Sequence, residues 1–400
     1  KRRMEFADEK ENLVMYKTLH RIVHINDDKG IESYNRIYLP VSSNADIIDM
    51  KARTILPNGK TIELDKNAIK DITEDGQVYK IFAMEGLVEG CEVEYYYTYR
   101  RNTSFFGREV IQGRLPVQQV VLELGAPSRL LFEIKAFNSS VKPFDTTFNN
   151  KRWLKVIEND IAAAEDEKYC AFEANLKRLE YKLSYNTSRN NNDRLFTWDE
   201  LARRIHTNFS TCTDKEMRKV NDLTGDIKLK NLTTEQEKIA AVEDFIKTNF
   251  TSRDDIDGDD ADNLEKIIKT KLASHTGMIR LFSAVFRHIG IAHEYVLAAD
   301  RDKYSIDRNF ENWNNCENNL IYFPSIKKYL APTEAEYRFP WINPKWAAAN
   351  AFYCRSTTIG SYTTAIGEVR QIPLEDFEKS VINTEADVEL GKNADTLIIN

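Results

Sequence analysis

Several features are scarce or missing in this 400-residue sequence, and their absence limits the class of protein. There is no long run of lysine and arginine, and the net charge is −7 with a pI near 5.6, so we expect no nucleic-acid partner. No apolar run approaches the length of a membrane-spanning helix, so we predict no membrane span. With 42% apolar and 30% charged residues, the composition is typical of a folded, soluble protein of two or three domains.

Cysteine and histidine are too few and too dispersed to predict a metal or a cofactor. The five cysteines are Cys91, Cys170, Cys212, Cys316 and Cys354. Their number is odd and no two have zinc-type spacing, so neither a disulfide framework nor a zinc site is indicated. His20 and His24 lie in a predicted strand, where about 13 Å would separate them, too far to share one metal ion. We therefore expect no bound cofactor.

Both ends of the sequence resemble the interior of a longer chain. The first residues, KRRMEFADEKENL, are charged and lack the apolar core of a signal peptide. The last residues, LGKNADTLIIN, stop within a strand-like run. Targeting information is therefore expected outside these 400 residues.

Residues 1–185 are predicted to form an antiparallel β-sandwich domain. The segment ARTILPNGKTIEL indicates a hairpin, because Pro57-Asn58-Gly59 supplies a turn between two alternating arms. In CEVEYYYTYR, one face of a strand would carry Val93, Tyr95, Tyr97 and Tyr99. We interpret this row as a core face rather than as a sugar-binding platform. Several short strands with regular turns favour a sandwich.

A polar segment at residues 186–194, NTSRNNNDR, is the predicted linker, and a helical period follows it. Helices are predicted at TWDELARRIHTNF, TTEQEKIAAVEDFIKTNF and NLEKIIKTKL, the second with a capping box of Thr234 and Glu237. Strands are predicted at AHEYVLAAD, NNLIYFP and KKYLAPT, so residues 186–355 are expected to form an α+β domain. Residues 356–400 are predicted to be a linker and the start of a truncated C-terminal β-domain. The predicted fold class is thus multidomain α+β.

The stretch ASHTGMIRLFSAVFRHIGI, residues 273–291, predicts an amphipathic core helix with Ser274 as its N-cap and His275 in its first turn. A helix pair, this helix ending at Gly290-Ile291, and strands ending at Pro332-Thr333 occur in an order that resembles the transglutaminase-like superfamily, a papain-like cysteine fold. The segments PNGKTIEL and GLVEGCEVEYYYTY resemble the uncharacterised β-domain found ahead of such cores in secreted bacterial proteins.

The resemblance implies positions for a Cys-His-Asp triad. In the family, a thiol at a helix N-terminus has a lowered pKa, a histidine takes its proton, and an aspartate orients the histidine. Here the nucleophile position falls on His275, the histidine position on Asn318 and the aspartate position on Ala331. The sequence has no cysteine in 271–291, no histidine in 310–333 and no aspartate in 326–336. We therefore predict a catalytically degenerate protein without the triad.

The predicted function is that of a binding or scaffold module for a peptide, glycan or protein partner. The resemblance implies a retained cleft flanked by Trp313 and Trp341, with unpaired N–H groups at the helix start near Ser274. It also implies a location in the periplasm or at the cell surface.

Two alternatives remain open. Cys316 and His275 could form a non-standard nucleophile–base pair of a cysteine-dependent amide hydrolase or transglutaminase, provided that they lie within hydrogen-bond reach. The acidic segment RDDIDGDDADNLE could instead make a calcium-binding surface module through Asp255 and Asp257. An EF-hand alignment of this segment fails at its first and twelfth positions, which favours a solvated acidic loop.

Overall fold

The computed structural model describes residues 1–10, 12–41, 45–74, 77–188, 193–253, 255–256, 259–374, 376, 378, 381–391 and 396–399. None of the helices within these ranges has both the length and the hydrophobicity that crossing a lipid bilayer requires.

The N-terminal region is almost entirely β-structure. Its strands are β1 (Arg2–Glu9), β2 (Asn12–His24), β3 (Arg36–Val41), β4 (Ala45–Ile55), β5 (Thr61–Glu63), β6 (Lys70–Glu74), β7 (Gln77–Ala83), β8 (Glu92–Asn102), β9 (Phe106–Val110), β10 (Val117–Pro127), β11 (Leu130–Phe137), β12 (Phe144–Phe148), β13 (Lys151–Ile161) and β14 (Arg178–Asn186). Two short helices interrupt them, α1 (Asp28–Tyr34) and α2 (Phe172–Asn175).

One large sheet forms the back of this region. Its order is β12-β13-β10-β1-β2-β8-β4-β5, and two three-stranded sheets, β11-β14-β9 and β3-β7-β6, face it. Each small sheet covers a separate hydrophobic core on the large one, the first around Phe6 and Phe132 and the second around Phe82 and Tyr95. The predicted sandwich is thus a double one, because one long sheet supports two cores side by side.

The local predictions for this region are confirmed. Val93, Tyr95 and Tyr97 are buried in the second core, which makes their row a core face. Gly59 has a φ of +82° in the turn between β4 and β5, a conformation that glycine adopts without strain. One expectation differs: β1 and β10 pair in parallel, so the sheet is not purely antiparallel. Residues distant in sequence form that pair, and strand alternation alone does not give its direction.

The remaining elements form an α+β region and a terminal hairpin. The helices are α3 (Trp198–Ser210), α4 (Asp214–Asp226), α5 (Glu235–Asn249), α6 (Asp259–Asp262), α7 (Leu264–Thr270) and α8 (His275–His288). The strands are β15 (Thr251–Arg253), β16 (Leu272–Ser274), β17 (Glu294–Ala298), β18 (Asn318–Phe323), β19 (Lys328–Leu330), β20 (Asn350–Ile359), β21 (Tyr362–Gln371), β22 (Val388–Leu390) and β23 (Leu397–Ile399). Single 3-10 turns occur at Lys66–Ala68, Trp313–Asn315 and Pro344–Trp346.

An antiparallel sheet of order β19-β18-β17-β20-β21 organises this region, with α8 packed on one face. The fold class is therefore confirmed as a mostly β N-terminal region followed by an α+β domain. The capping box of Thr234 and Glu237 at α5 is also present as predicted. Helix α4 was missed, although Thr213 and Glu216 form a second capping box ahead of it.

The predicted boundary at residue 355 falls inside β20. The sheet continues through the hairpin of β20 and β21 to Gln371, because β20 pairs with β17 from Ala351 to Cys354. The segment 356–371 thus belongs to the α+β sheet and not to a linker. In the part of the C-terminal segment that the structure describes after Gln371, the predicted β-structure consists of the hairpin of β22 and β23. The predicted linker at 186–194 lies partly outside the described residues.

Candidate functional site

Helix α8 begins at a tightly packed turn. Ser274 is its N-cap, accepting a 2.9 Å hydrogen bond from the Gly277 amide and donating its own hydroxyl to the carboxylate of Asp262. A Cβ at Gly277 would collide with the carbonyl oxygen of Ala261 and the side chain of Ile267. The first turn is therefore held directly against α6 and α7, and the Ser274 hydroxyl is fully used as a structural group.

His275 occupies the first helical position, and it is exposed to solvent. Its imidazole makes no hydrogen bond with another residue of the described chain. One turn further on, Ile279 is buried in a cluster with Leu297 and Tyr295 of β17. The helix start thus presents a solvated imidazole at the positive end of the helix dipole, with a hydrophobic core directly behind it.

Asn318 and Ala331 lie on the other face of the sheet. Asn318 pairs with Ala298, and paired residues of antiparallel strands point to the same side. Ala298 and Ala331 belong to a hydrophobic cluster with Trp346 that contains no residue of α8 among the described residues. By contrast, Ile321 of the same strand packs with α8.

The Asn318 amide has partners of its own. It donates to Asp300 Oδ1 at 3.2 Å and to the Ala298 carbonyl at 3.4 Å. Trp346 Nε1 donates to the same Asp300 oxygen at 3.0 Å. Asn318 therefore stabilises the loop after β17, and the correspondence of Asn318 and Ala331 to triad positions stays a prediction.

The surroundings of Cys316 disfavour ionisation of its thiol to the nucleophilic thiolate. Its side chain packs against the cluster that contains Ile279 and Leu297. Burial raises the pKa of the Cys316 thiol, with a smaller effect of the same sign from the carboxylate of Glu317. No hydrogen bond joins Cys316 to His275 in the described chain. A raised thiol pKa opposes nucleophilic activation, which would require a lowered one.

The two tryptophans predicted to flank the cleft have different surroundings. Trp313 packs between the two regions, with ring centroids 5.7 Å from Phe106 and 5.2 Å from Phe196, and Arg204 lies over its ring at 5.2 Å. Trp341 is 49% exposed. Of the two, Trp341 is therefore the one whose ring is largely open to a ligand, while the half-buried Trp313 joins the N-terminal region to the α+β region.

The calcium hypothesis gains no geometric support from the part of the acidic segment that is described. Asp255 forms an ion pair with Arg253, and the hydrogen bonds from that guanidinium lower the Asp255 pKa. Asp257 lies outside the described residues. Among the residues that the structure describes, no three or more His, Cys, Asp or Glu side chains are grouped to hold a metal ion.

A buried polar interface between the two regions was not predicted. In β14 both faces are buried, so its charged residues point into the α+β region rather than into solvent. Lys182 is fully buried and pairs with Glu311 at 2.7 Å, and Glu180 accepts hydrogen bonds from Asn312 at 2.7 Å and from Asn315 at 3.1 Å. Residues 311–315, which precede β18, are thereby bound to the N-terminal region by an ion pair and two hydrogen bonds.

The pKa values in this interface follow from burial and pairing. Burial lowers the pKa of Lys182, and the attraction of Glu311 only partly offsets that effect. For Glu311, burial acts to raise the pKa, but hydrogen bonds from Arg194 and Lys182 outweigh it and leave the pKa lowered. A strand with alternating charges is typical of a solvent-facing sheet, which is why the sequence alone gave no sign of this interface.

A second polar chain runs under α8 through His293, Ser283, Tyr295 and Ser210. His293 Nδ1 donates to the Ile291 carbonyl at 3.1 Å, so Nε2 accepts from the Ser283 hydroxyl at 2.9 Å. Ser283 and Tyr295 are 2.6 Å apart, and Tyr295 and Ser210 are 2.9 Å apart. Burial lowers the pKa of His293 to about 4. Ser283 is fully buried in mid-helix, so this Ser–His pair is closed to a substrate.

Comparison with known proteins agrees with this architecture. Residues 14–164 match DUF3857, a domain of unknown function with solved structures, and residues 222–329 match the transglutaminase-like superfamily. A solved protein from Parabacteroides distasonis, described as a "putative protease", has a TM-score of 0.59 and 11% sequence identity to this chain. The match covers 82% of this chain and 66% of that protein, just under two thirds of its length, and such low identity shows the fold alone. No curated protein matches this chain. The chain therefore carries a DUF3857 domain followed by a domain of the transglutaminase-like superfamily.

Proposed function

We propose that this chain is a non-catalytic member of the transglutaminase-like fold that binds a peptide, glycan or protein partner. The observation that carries the proposal is the first turn of α8, where the resemblance expects the nucleophilic cysteine and the chain has the exposed His275. Among the described residues, no base is hydrogen-bonded to the His275 imidazole. An imidazole there forms no durable acyl-enzyme, so acyl transfer lacks its first step.

The positions of the cysteines support the same proposal. Cys91 and Cys354 are buried, and the Cys354 thiol donates to the Ala202 carbonyl. Cys212 lies against Arg287 at the opposite end of α8, at 3.1 Å. Cys316 has a raised pKa, and Cys170 is exposed near α2 in the N-terminal region. None of these thiols combines access to the start of α8 with an electrostatic environment that favours a thiolate.

The ligand surface of the proposal centres on Trp341. The ring is half exposed and sits in the segment after β19, between Phe339 and Ile342, which both pack into the domain. An exposed tryptophan between two packed neighbours offers a large apolar contact, as expected for recognition of a sugar ring or a peptide side chain. Export to the periplasm or cell surface is part of the proposal and rests on the resemblance; fractionation of cells that express the full-length protein tests it.

Turnover is tested with the purified chain, a glutamine-containing peptide and an amine donor. Both amine incorporation and amide hydrolysis are measured with the wild type, Cys316→Ser and His275→Ala. We expect no turnover above the heat-denatured control in any of the three. Wild-type turnover that is lost in both variants would instead support the Cys316/His275 alternative and overturn the proposal.

Binding is tested on peptide and glycan arrays with the wild type and Trp341→Ala. The matched control is Tyr362→Ala, which removes another exposed ring, 67% exposed, from the β20–β21 hairpin. We expect the wild type and the control to bind the same array members and Trp341→Ala to bind at least about tenfold more weakly, as loss of an aromatic anchor predicts. Equal binding by all three proteins would show that Trp341 is not the contact.

A further inference from the structure

Strand β12 is the outermost strand of the eight-stranded sheet, and its sequence is Phe144-Asp145-Thr146-Thr147-Phe148. Asn149 and Asn150 follow with φ of +50° and +58°, forming a two-residue turn typical of tight hairpins. The turn fixes the register with β13, which pairs Phe144 with Lys155 and Phe148 with Lys151. Within the described chain, no strand pairs with the outer edge of β12.

This edge lacks the usual protection against pairing. Phe144 and Phe148 are each 67% exposed, and both point to the same face of the strand because they are four residues apart. Exposed edge strands are normally defended by an unpaired charge or a proline within the strand. The one charged residue of β12, Asp145, is neutralised by Arg152, whose Nε lies 3.0 Å from both carboxylate oxygens. Hydrophobic rings beside free backbone groups favour association.

The sequence of β12 is nearly unchanged when it is reversed. If two copies of the strand run antiparallel about a two-fold axis at Thr146, Phe144 lies opposite Phe148 of the second copy. Asp145 then lies opposite Thr147, whose hydroxyl can donate to the carboxylate, and Thr146 lies opposite its own equivalent. Such aromatic and threonine pairs are among the favourable cross-strand pairs, and no like charges face each other.

We propose that β12 is a self-association edge, through which two copies of this chain join their eight-stranded sheets into one continuous sheet. The occupant is a second copy because, in this register, each side chain of β12 lies opposite a side chain with which it can pack or form a hydrogen bond. This holds for both strands at once. The contact is isologous, so it closes at the dimer and does not propagate into a filament. It involves a five-residue strand on each side, so it is small and concentration-dependent.

The proposal is tested by sedimentation equilibrium of the whole chain from low to high micromolar concentration. The wild type should shift from 46.4 kDa toward twice that mass. Thr146→Lys sets two lysines face to face across the axis and should stay monomeric, as should Thr146→Glu. An equimolar mixture of these two variants should dimerise again. The control Thr147→Lys sets a lysine opposite Asp145 of the second copy and should dimerise at least as well as the wild type.

Circular dichroism must show the wild-type spectrum for each variant, which is expected because β12 is exposed along its whole length. The proposal is overturned if the wild type remains monomeric at the highest concentration, even if it captures an unrelated extended peptide. It is equally overturned if Thr146→Lys dimerises like the wild type, or if the mixed variants fail to associate.

Discussion

Acidification from pH 7 to pH 5 is expected to remove about 2 kcal/mol of folding free energy through His293 alone. The ring lies under α8 against Phe286 and Tyr295, with ring centroids 5.8 and 5.6 Å away. Its Nε2 accepts from Ser283 and its Nδ1 donates to a backbone carbonyl. A second proton would remove the acceptor and place a charge in a desolvated site near Arg287, which is why burial first and Arg287 second lower the pKa.

The magnitude follows from the two pKa values. The pKa of His293 is about 4 in the folded protein, against about 6.5 in an unfolded chain. Between these values the unfolded chain binds more protons than the folded one, so the stability contribution is present above pH ~6.5 and is lost as the pH falls through 4. At 1.36 kcal/mol per pH unit, the full contribution is about 3 kcal/mol, of which about 2 kcal/mol is lost by pH 5.

Urea unfolding followed by tryptophan fluorescence at pH 7 and pH 5 measures this loss. His293→Gln keeps a hydrogen-bonding side chain but does not titrate, so its unfolding free energy should fall by about 2 kcal/mol less than that of the wild type between these pH values. Any constant cost of the substitution cancels in this comparison of differences. His288→Gln, at the exposed C-terminal end of the same helix, is the control and should behave like the wild type. Equal pH-dependent losses in the wild type and His293→Gln would refute the reasoning.

Further predictions concern the buried interface and the packing of two glycines. Glu311→Leu leaves the fully buried ammonium of Lys182 unpaired and should cost about 3–5 kcal/mol in urea unfolding. Lys182→Met leaves Glu311 paired with Arg194 at 3.0 Å and should be close to neutral, so equal costs would contradict the asymmetry. Gly277→Ala should cost about 1–3 kcal/mol because its Cβ collides with backbone. Gly225→Ala in α4 meets open space and should add about 0.5–1 kcal/mol, so a melting temperature that falls for Gly225→Ala or rises for Gly277→Ala would disprove this account.

Helix ends and turns were predictable because their determinants are local. The hydrogen bonds of the Thr234–Glu237 capping box and of the Ser274 N-cap each join residues three positions apart. A short stretch of sequence therefore shows both partners of each bond. The same reasoning applied to Thr213 and Glu216 would have found α4. The hairpin of β20 and β21 was missed because its segments, NAFYCRSTTI and YTTAIGEVRQ, show no clear alternation of apolar and polar residues.

The candidate site was only partly predictable. The core helix and the position of His275 at its start followed from hydrophobic spacing, because α8 buries one continuous apolar stripe. The face on which Asn318 lies did not follow, because a shift of one residue in a strand exchanges its two faces. The register with β17 and the hydrogen bond to Asp300 decide that face, and both depend on residues 18 to 20 positions away.

The sequence by itself determined the order of domains, the helix caps and the core face of β8. It also determined that Ser274 and His275 stand at the start of α8. Each of these depends on local chemistry or on the side-chain period of one element. Only the tertiary structure decided that Lys182 and Glu180 are buried between the two regions and that Trp313 is packed while Trp341 is exposed. It also decided that no described strand pairs with the outer edge of β12. The physical reason is that burial of a charge or a ring depends on what packs against it. Those partners come from strands and loops more than a hundred residues away, which no local pattern specifies.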